Sequence, residues 1–131
     1  MKYFKTLNQY KCSNLLYNAN SETAYSYEWY QIAKRINGIM VVNDYSYSPT
    51  TKRHAYKIKR LFAELSINYI SIEAPRGLQS LNEAKPYYLD MIINLQAKID
   101  NPRSKKTLWR ERYEQLTNLK QSLAIIEGLT Q

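Results

Sequence analysis

Asn37-Gly38 stands between two runs rich in aromatic and β-branched residues, Tyr25–Ile36 and Ile39–Tyr47. A two-residue Asn-Gly connection is the preferred type I′ turn, because both of its positions need φ > 0. It predicts a β-hairpin and sets its register. Ile36 lies opposite Ile39, Lys34 faces Val41, Ile32 faces Asn43, Tyr30 faces Tyr45 and Glu28 faces Tyr47. The other face carries Trp29, Gln31, Ala33 and Arg35 with Met40, Val42, Asp44 and Ser46. Neither face is cleanly apolar, so one side is expected to be covered and the other partly exposed with polar groups.

A helix is predicted to follow, with Ser48 as N-cap and Pro49 at the first helical position. Ala55, Ile58, Leu61, Phe62 and Leu65 recur at helical spacing and form its expected core face. Lys52, Arg53, Lys57, Lys59 and Arg60 fall on or beside the solvent face. Ile67–Glu73 reads as a third strand, stopped by Ala74-Pro75-Arg76-Gly77. Before the hairpin, Asn14, Asn18, Asn20 and Ser21 mark loop, with at most one short helical or extended piece ahead of them.

The last third is helical. Leu81, Ala84, Tyr88, Ile92, Leu95 and Ile99 form one stripe, with Pro86 at its true start or at a kink. Asp100-Asn101-Pro102-Arg103 is a tight connection, and Leu108, Leu116, Leu119, Leu123 and Ile126 form a second stripe with Gly128 as its stop. The expected architecture is one α+β domain over 1–131. A small antiparallel sheet, hairpin plus third strand, packs with one basic helix in a β-β-α-β unit over 25–78. An antiparallel helical hairpin occupies 79–131, and 1–24 stay poorly defined.

Composition narrows the function. A hydrophobic content of 44% argues against disorder, and no apolar run approaches the ~18 residues that span a membrane. Met1–Tyr10 lacks the apolar stretch of a signal peptide, and the single cysteine, Cys12, suits a reducing compartment. A cytoplasmic setting is therefore expected. One His and one Cys cannot supply a set of three or four soft metal ligands. With three glycines in the chain, neither a P-loop nor a dinucleotide fingerprint can be built. No cofactor is expected.

The net charge of +8 favours anionic partners, either nucleic acid or acidic protein surfaces. Lys52, Arg53, Lys57, Lys59 and Arg60 lie beside Tyr45 and Tyr47, a pairing that suits phosphate contact with base stacking. A second cluster, Arg103, Lys105, Lys106, Arg110 and Arg112, opens the last helix, where positive charge opposes the helix dipole. Neither cluster matches a known nucleic-acid motif, and either also reads as a solvated face. Thirteen tyrosines equally suit a protein interface. An AT-rich genome accounts for their number, though not for their gathering between Tyr25 and Tyr56.

His54 is the one acid–base candidate, with Asp44 to orient it and Tyr45 or Tyr47 to flank a substrate. Without a second positioned group, packing or capping in the first helical turns, or simply adding to the basic face, is the favoured role. No catalytic residue is therefore assigned.

The block Asn43–His54, with the later Ile72-Glu-Ala-Pro-Arg-Gly-Leu78, resembles small uncharacterised proteins of phages and mobile elements. The resemblance covers the middle third of the chain and carries no functional residues over. It implies an accessory role in the host-cell cytoplasm, such as inhibition of a host defence system. Two main expectations follow. One is a non-enzymatic protein that binds nucleic acid, or a complex that handles it, through the basic helix. The other is an anti-CRISPR-like inhibitor acting by protein–protein contact. An enzyme centred on His54 is a third.

Overall fold

Among the described residues of the computed structural model, six successive strands, rather than one hairpin, precede the first helix: β1 (Phe4–Thr6), β2 (Gln9–Cys12), β3 (Leu15–Asn18), β4 (Thr23–Ser26), β5 (Tyr30–Ile36) and β6 (Ile39–Asn43). Helix α1 (Pro49–Glu64), strand β7 (Tyr69–Ile72) and a short 3-10 segment (Leu78–Glu83) follow. The chain ends in α2 (Ala84–Asp100), a 3-10 turn (Lys106–Leu108) and α3 (Trp109–Leu129). The structure describes residues 4–6, 9–12, 14–27, 29–101, 103 and 106–130, with side chains from 14 onward except that of 106. They fall into two compact units, Met1–Leu81 and Asn82–Gln131.

The described residues of the first unit form, besides α1, a seven-stranded sheet in the order β1-β2-β3-β4-β5-β6-β7. Strands β1 to β6 form an antiparallel meander, whereas β7 joins β6 in parallel. A parallel neighbour needs a crossover of about a dozen residues or more, and α1 supplies it. The fold class is α+β, with a pair of helices at the C-terminal end. The sheet is larger than the hairpin-plus-one expected from the sequence.

Three boundaries differ from expectation. The region before Thr23 contributes three strands. They are short and carry too few apolar residues for alternation to show, but Asn18 does turn the chain: its Oδ1 accepts from Asn20 N at 2.9 Å and Ser21 N at 3.3 Å. The run Tyr25–Ile36 is not one strand. Tyr27 sits at φ 56°, a left-handed conformation that ends β4 and lets β5 return beside it. The return strand stops at Asn43, not at Tyr47. The pairing of Tyr30 with Tyr45 is therefore lost, and that of Glu28 with Tyr47 lies outside the described residues.

The Asn37-Gly38 turn is as expected. Both residues have positive φ, 50° and 81°, and Ile36 faces Ile39 and Lys34 faces Val41. Between Ala24 and Tyr25 the β4–β5 register slips, leaving Ile32 as the extra residue. A bulge frees neighbouring side chains from strict alternation. Ile32 and Ala33 both enter the core, which a regular strand would not allow.

That core joins Leu15, Tyr17, Ala24, Tyr30, Ile32, Ala33, Met40 and Val42 of the sheet to Ile58, Leu61 and Phe62 of α1, with Ile67 packed against it. Tyr17 meets Phe62 edge-on, with ring centroids 5.4 Å apart. Each fully buried aliphatic or phenyl side chain contributes about 1.5–3 kcal/mol, so this one face holds α1 on the sheet. Leu65, expected in the core, is 47% exposed because it caps the helix where the chain turns away.

In the second unit α2 and α3 pack on each other, and Arg112 of α3 donates to the carbonyl of Lys98 in α2 at 3.4 Å. Ala84, Tyr88 and Ile99 are buried on α2, and Leu116, Ile126 and Leu129 on α3. Leu108 lies in the 3-10 turn before α3 and is exposed. Gly128 does not stop α3. It lacks the positive φ that a glycine stop uses, and the helix runs on to Leu129. No helix among the described residues is long and apolar enough to cross a membrane.

Candidate nucleic-acid or partner interface

The exit of β6 is held rigidly. Asn43 is fully buried, and its side-chain oxygen accepts from the backbone N–H of Ala74 at 2.9 Å and of Tyr45 at 3.0 Å. Its side-chain nitrogen donates to the Ala74 carbonyl at 2.8 Å and to the Tyr30 hydroxyl at 3.2 Å. The Tyr30 hydroxyl donates in turn to the carbonyls of Ala74 and Pro75, each at 3.1 Å. Burial raises the Tyr30 pKa, with the hydrogen bond from Asn43 opposing.

After the five residues 44–48 the chain enters α1. Ser48 is extended, and its hydroxyl accepts from Thr51 N at 3.1 Å, as an N-cap does. Pro49 occupies the start of the helix. The buried side of α1 carries Thr51, His54, Ala55, Ile58, Leu61 and Phe62. The opposite side exposes Lys52, Arg53, Tyr56 and Arg60.

Tyr56, 62% exposed, is the centre of this face. Lys52 and Arg53 precede it by four and three residues, and Lys59 and Arg60 follow it by three and four. Those offsets are neighbours on a helix surface. The Arg60 guanidinium carbon lies 5.9 Å from the Tyr56 ring centroid, within cation–π range. Lys59 also forms an ion pair with Asp44 at the β6 exit. Asp44, Ser46, Lys52, Ala55, Tyr56 and Lys59 line a groove of about 350 Å³. Tyr56 was not singled out from the sequence, although its spacing from the four cations was legible there.

Of the expected site residues, Lys52, Arg53, Lys59 and Arg60 thus share one surface. Lys57 is half-buried towards the flank of α1, where its charge acts on His54. Tyr45 is half-buried, whereas Tyr47 is 54% exposed. Tyr47 stacks at 4.9 Å on Tyr30 and meets the half-exposed Trp29 edge-on at 5.9 Å. Arg103, Lys106 and Arg110 belong to the second unit, and Lys105 lies outside the described residues. Arg103 sits in the α2–α3 connection, where its N–H donates to the Asn101 side chain at 2.9 Å. Lys106 precedes α3, and Arg110, within it, makes a long, exposed contact to Glu114 at 3.8 Å.

His54 is 2% exposed. Its Nδ1 lies 2.7 Å from the hydroxyl of Ser26, a residue the sequence did not connect with it. Ser26 lies 3.2 Å from the Thr51 hydroxyl, to which Ser48 donates at 3.1 Å. Burial, then the charges of Lys57 and Arg53, push the His54 pKa below its ordinary value. Asp44 does not orient His54, since it is engaged by Lys59. With Ser26 and His54 both closed to solvent, the arrangement is a polar strut between β4 and α1. Among the described residues no three His, Cys, Asp or Glu side chains gather as metal ligands.

No protein-family model, curated protein or solved structure matches this chain.

Proposed function

We propose that this protein binds nucleic acid, or a complex that handles nucleic acid, through the exposed face of α1, without catalysing a reaction. The observation that carries the reading is the exposed Tyr56 bracketed by Lys52, Arg53, Lys59 and Arg60. Cations of this kind neutralise phosphates, and the aromatic ring among them offers stacking area. Affinity for oligonucleotides should fall steeply as salt rises, because each neutralised phosphate releases counterions. Charge reversal at Lys52, Arg53 and Arg60 should weaken binding and flatten that salt dependence. Unchanged affinity in the triple variant would overturn the reading.

A second reading, a phage-type inhibitor of a host defence system acting by protein contact, draws on the paired aromatics Trp29 and Tyr47. They are 52% and 54% exposed, and both residue types dominate interface hot spots. A partner recovered from nuclease-treated host lysate, and lost with Trp29→Ala or Tyr47→Ala, would favour this reading over direct nucleic-acid binding.

A further inference from the structure

Resting on the reading that α1 binds nucleic acid, we infer that its ligand is single-stranded, with one unpaired base stacked on Tyr56 in the groove between α1 and the β6 exit. The groove has the size and the chemistry for one nucleotide. Its volume, about 350 Å³, is at the low end of the ~300–1,000 Å³ of small-ligand pockets. Its lining residues are one aromatic, Tyr56, two basic, Lys52 and Lys59, the small Ser46 and Ala55, and one acidic, Asp44.

The position of the ring decides the strand state. In a duplex each base lies within the stack, and only its edges are open to a helix in the groove. A tyrosine projecting from the middle of a basic face then finds no π-face to meet. Unpaired bases present that face, and stacking on it tolerates any sequence. Arg60, whose guanidinium carbon lies 5.9 Å from the Tyr56 ring centroid, is not among the groove walls. Asp44 engages Lys59 within the groove. The phosphates on either side of the stacked base therefore fall to Lys52 and Arg53 at one end and Arg60 at the other.

The test is fluorescence anisotropy with labelled single-stranded DNA and RNA of about 12 nucleotides, within the footprint range of single-strand binders, and with the matching duplexes. Single strands should bind at least about tenfold more tightly than duplex. Tyr56→Ala should lower single-strand affinity about tenfold, while Tyr56→Phe retains it. Tyr56 contributes little to the core, so circular dichroism of both variants should match that of the parent. Equal affinity for duplex and single strand, or a Tyr56→Ala variant that binds single strands as before, overturns this inference and leaves nucleic-acid binding by α1 standing. Absence of binding to every oligonucleotide at low salt overturns the underlying reading as well.

Discussion

Ser26 and His54 hold strand β4 to helix α1 through a buried 2.7 Å contact between Ser26 Oγ and His54 Nδ1. The contact ends a run of hydroxyls through Thr51 and Ser48. A neutral His54 with an open Nδ1 lets each hydroxyl donate to the next and leaves the ring as the final acceptor. Protonation would reverse that run and place a charge in a buried site flanked by Lys57 and Arg53.

The folded protein therefore holds the His54 pKa below the unfolded value. This contribution to stability is complete above the unfolded pKa of about 6.5 and is lost as pH falls below it towards the folded pKa. The urea midpoint should drop between neutral and mildly acidic pH. The drop should shrink in His54→Gln. An identical pH profile in parent and variant would place its origin elsewhere.

Asn43 supplies the acceptor for two backbone N–H groups and a donor for one carbonyl. Asn43→Ala would leave the backbone N–H groups of Ala74 and Tyr45 unmatched, at roughly 1–3 kcal/mol for each group not rescued, while the Tyr30 hydroxyl still serves the Ala74 carbonyl. A loss of about 3 kcal/mol by chemical denaturation is expected. Tyr30→Phe should cost less, about 1 kcal/mol, because Asn43 still serves the Ala74 carbonyl. The reverse ranking would contradict the role given to Asn43.

Ser48→Ala removes the cap of α1 and should cost about 1 kcal/mol, whereas Ser48→Asp should keep most of it. Thermal unfolding of the three proteins compares them directly. A neutral Ser48→Ala would mean that Pro49 and the core face alone define the helix start.

Gly77 has φ 87°, and a Cβ there would lie 2.2 Å from Gln79 Oε1. That oxygen accepts from Gln31 N at 3.0 Å, and the Gln79 amide nitrogen donates to the Trp29 carbonyl at 3.2 Å. Gly77→Ala should both strain the backbone, by about 1–2 kcal/mol, and dislodge this clamp. Faster amide exchange at Gln31 than in the parent would report its release.

Asp44 is the acidic group within the proposed binding groove, where it engages Lys59. Asp44→Asn should raise oligonucleotide affinity a few-fold and steepen the salt dependence by about one phosphate's worth of counterions. Weaker binding in this variant would mean that the carboxylate itself contacts the ligand.

Local chemistry made part of this readable in advance. Asn37-Gly38 dictates a turn that few other dipeptides adopt, so the β5–β6 register followed from it. Ser48-Pro49 and the spacing of Ala55, Ile58, Leu61 and Phe62 likewise defined α1 and its buried side. The early strands were hidden because each has three or four residues, and half-polar pieces such as Gln9–Cys12 carry no visible period. The break at Tyr27 was hidden because an L-tyrosine at positive φ goes against its own preference.

The sequence by itself determined one hairpin turn, one capped amphipathic helix and the cations that helix carries, because these depend on neighbours within a few residues. Only the tertiary structure decided what those residues meet. His54 belongs to Ser26, Asp44 to Lys59 and Asn43 to Ala74, pairs separated by 28, 15 and 31 positions. Burial, hydrogen-bond geometry and charge at such separations arise from how the strands and α1 pack, and no local pattern encodes them.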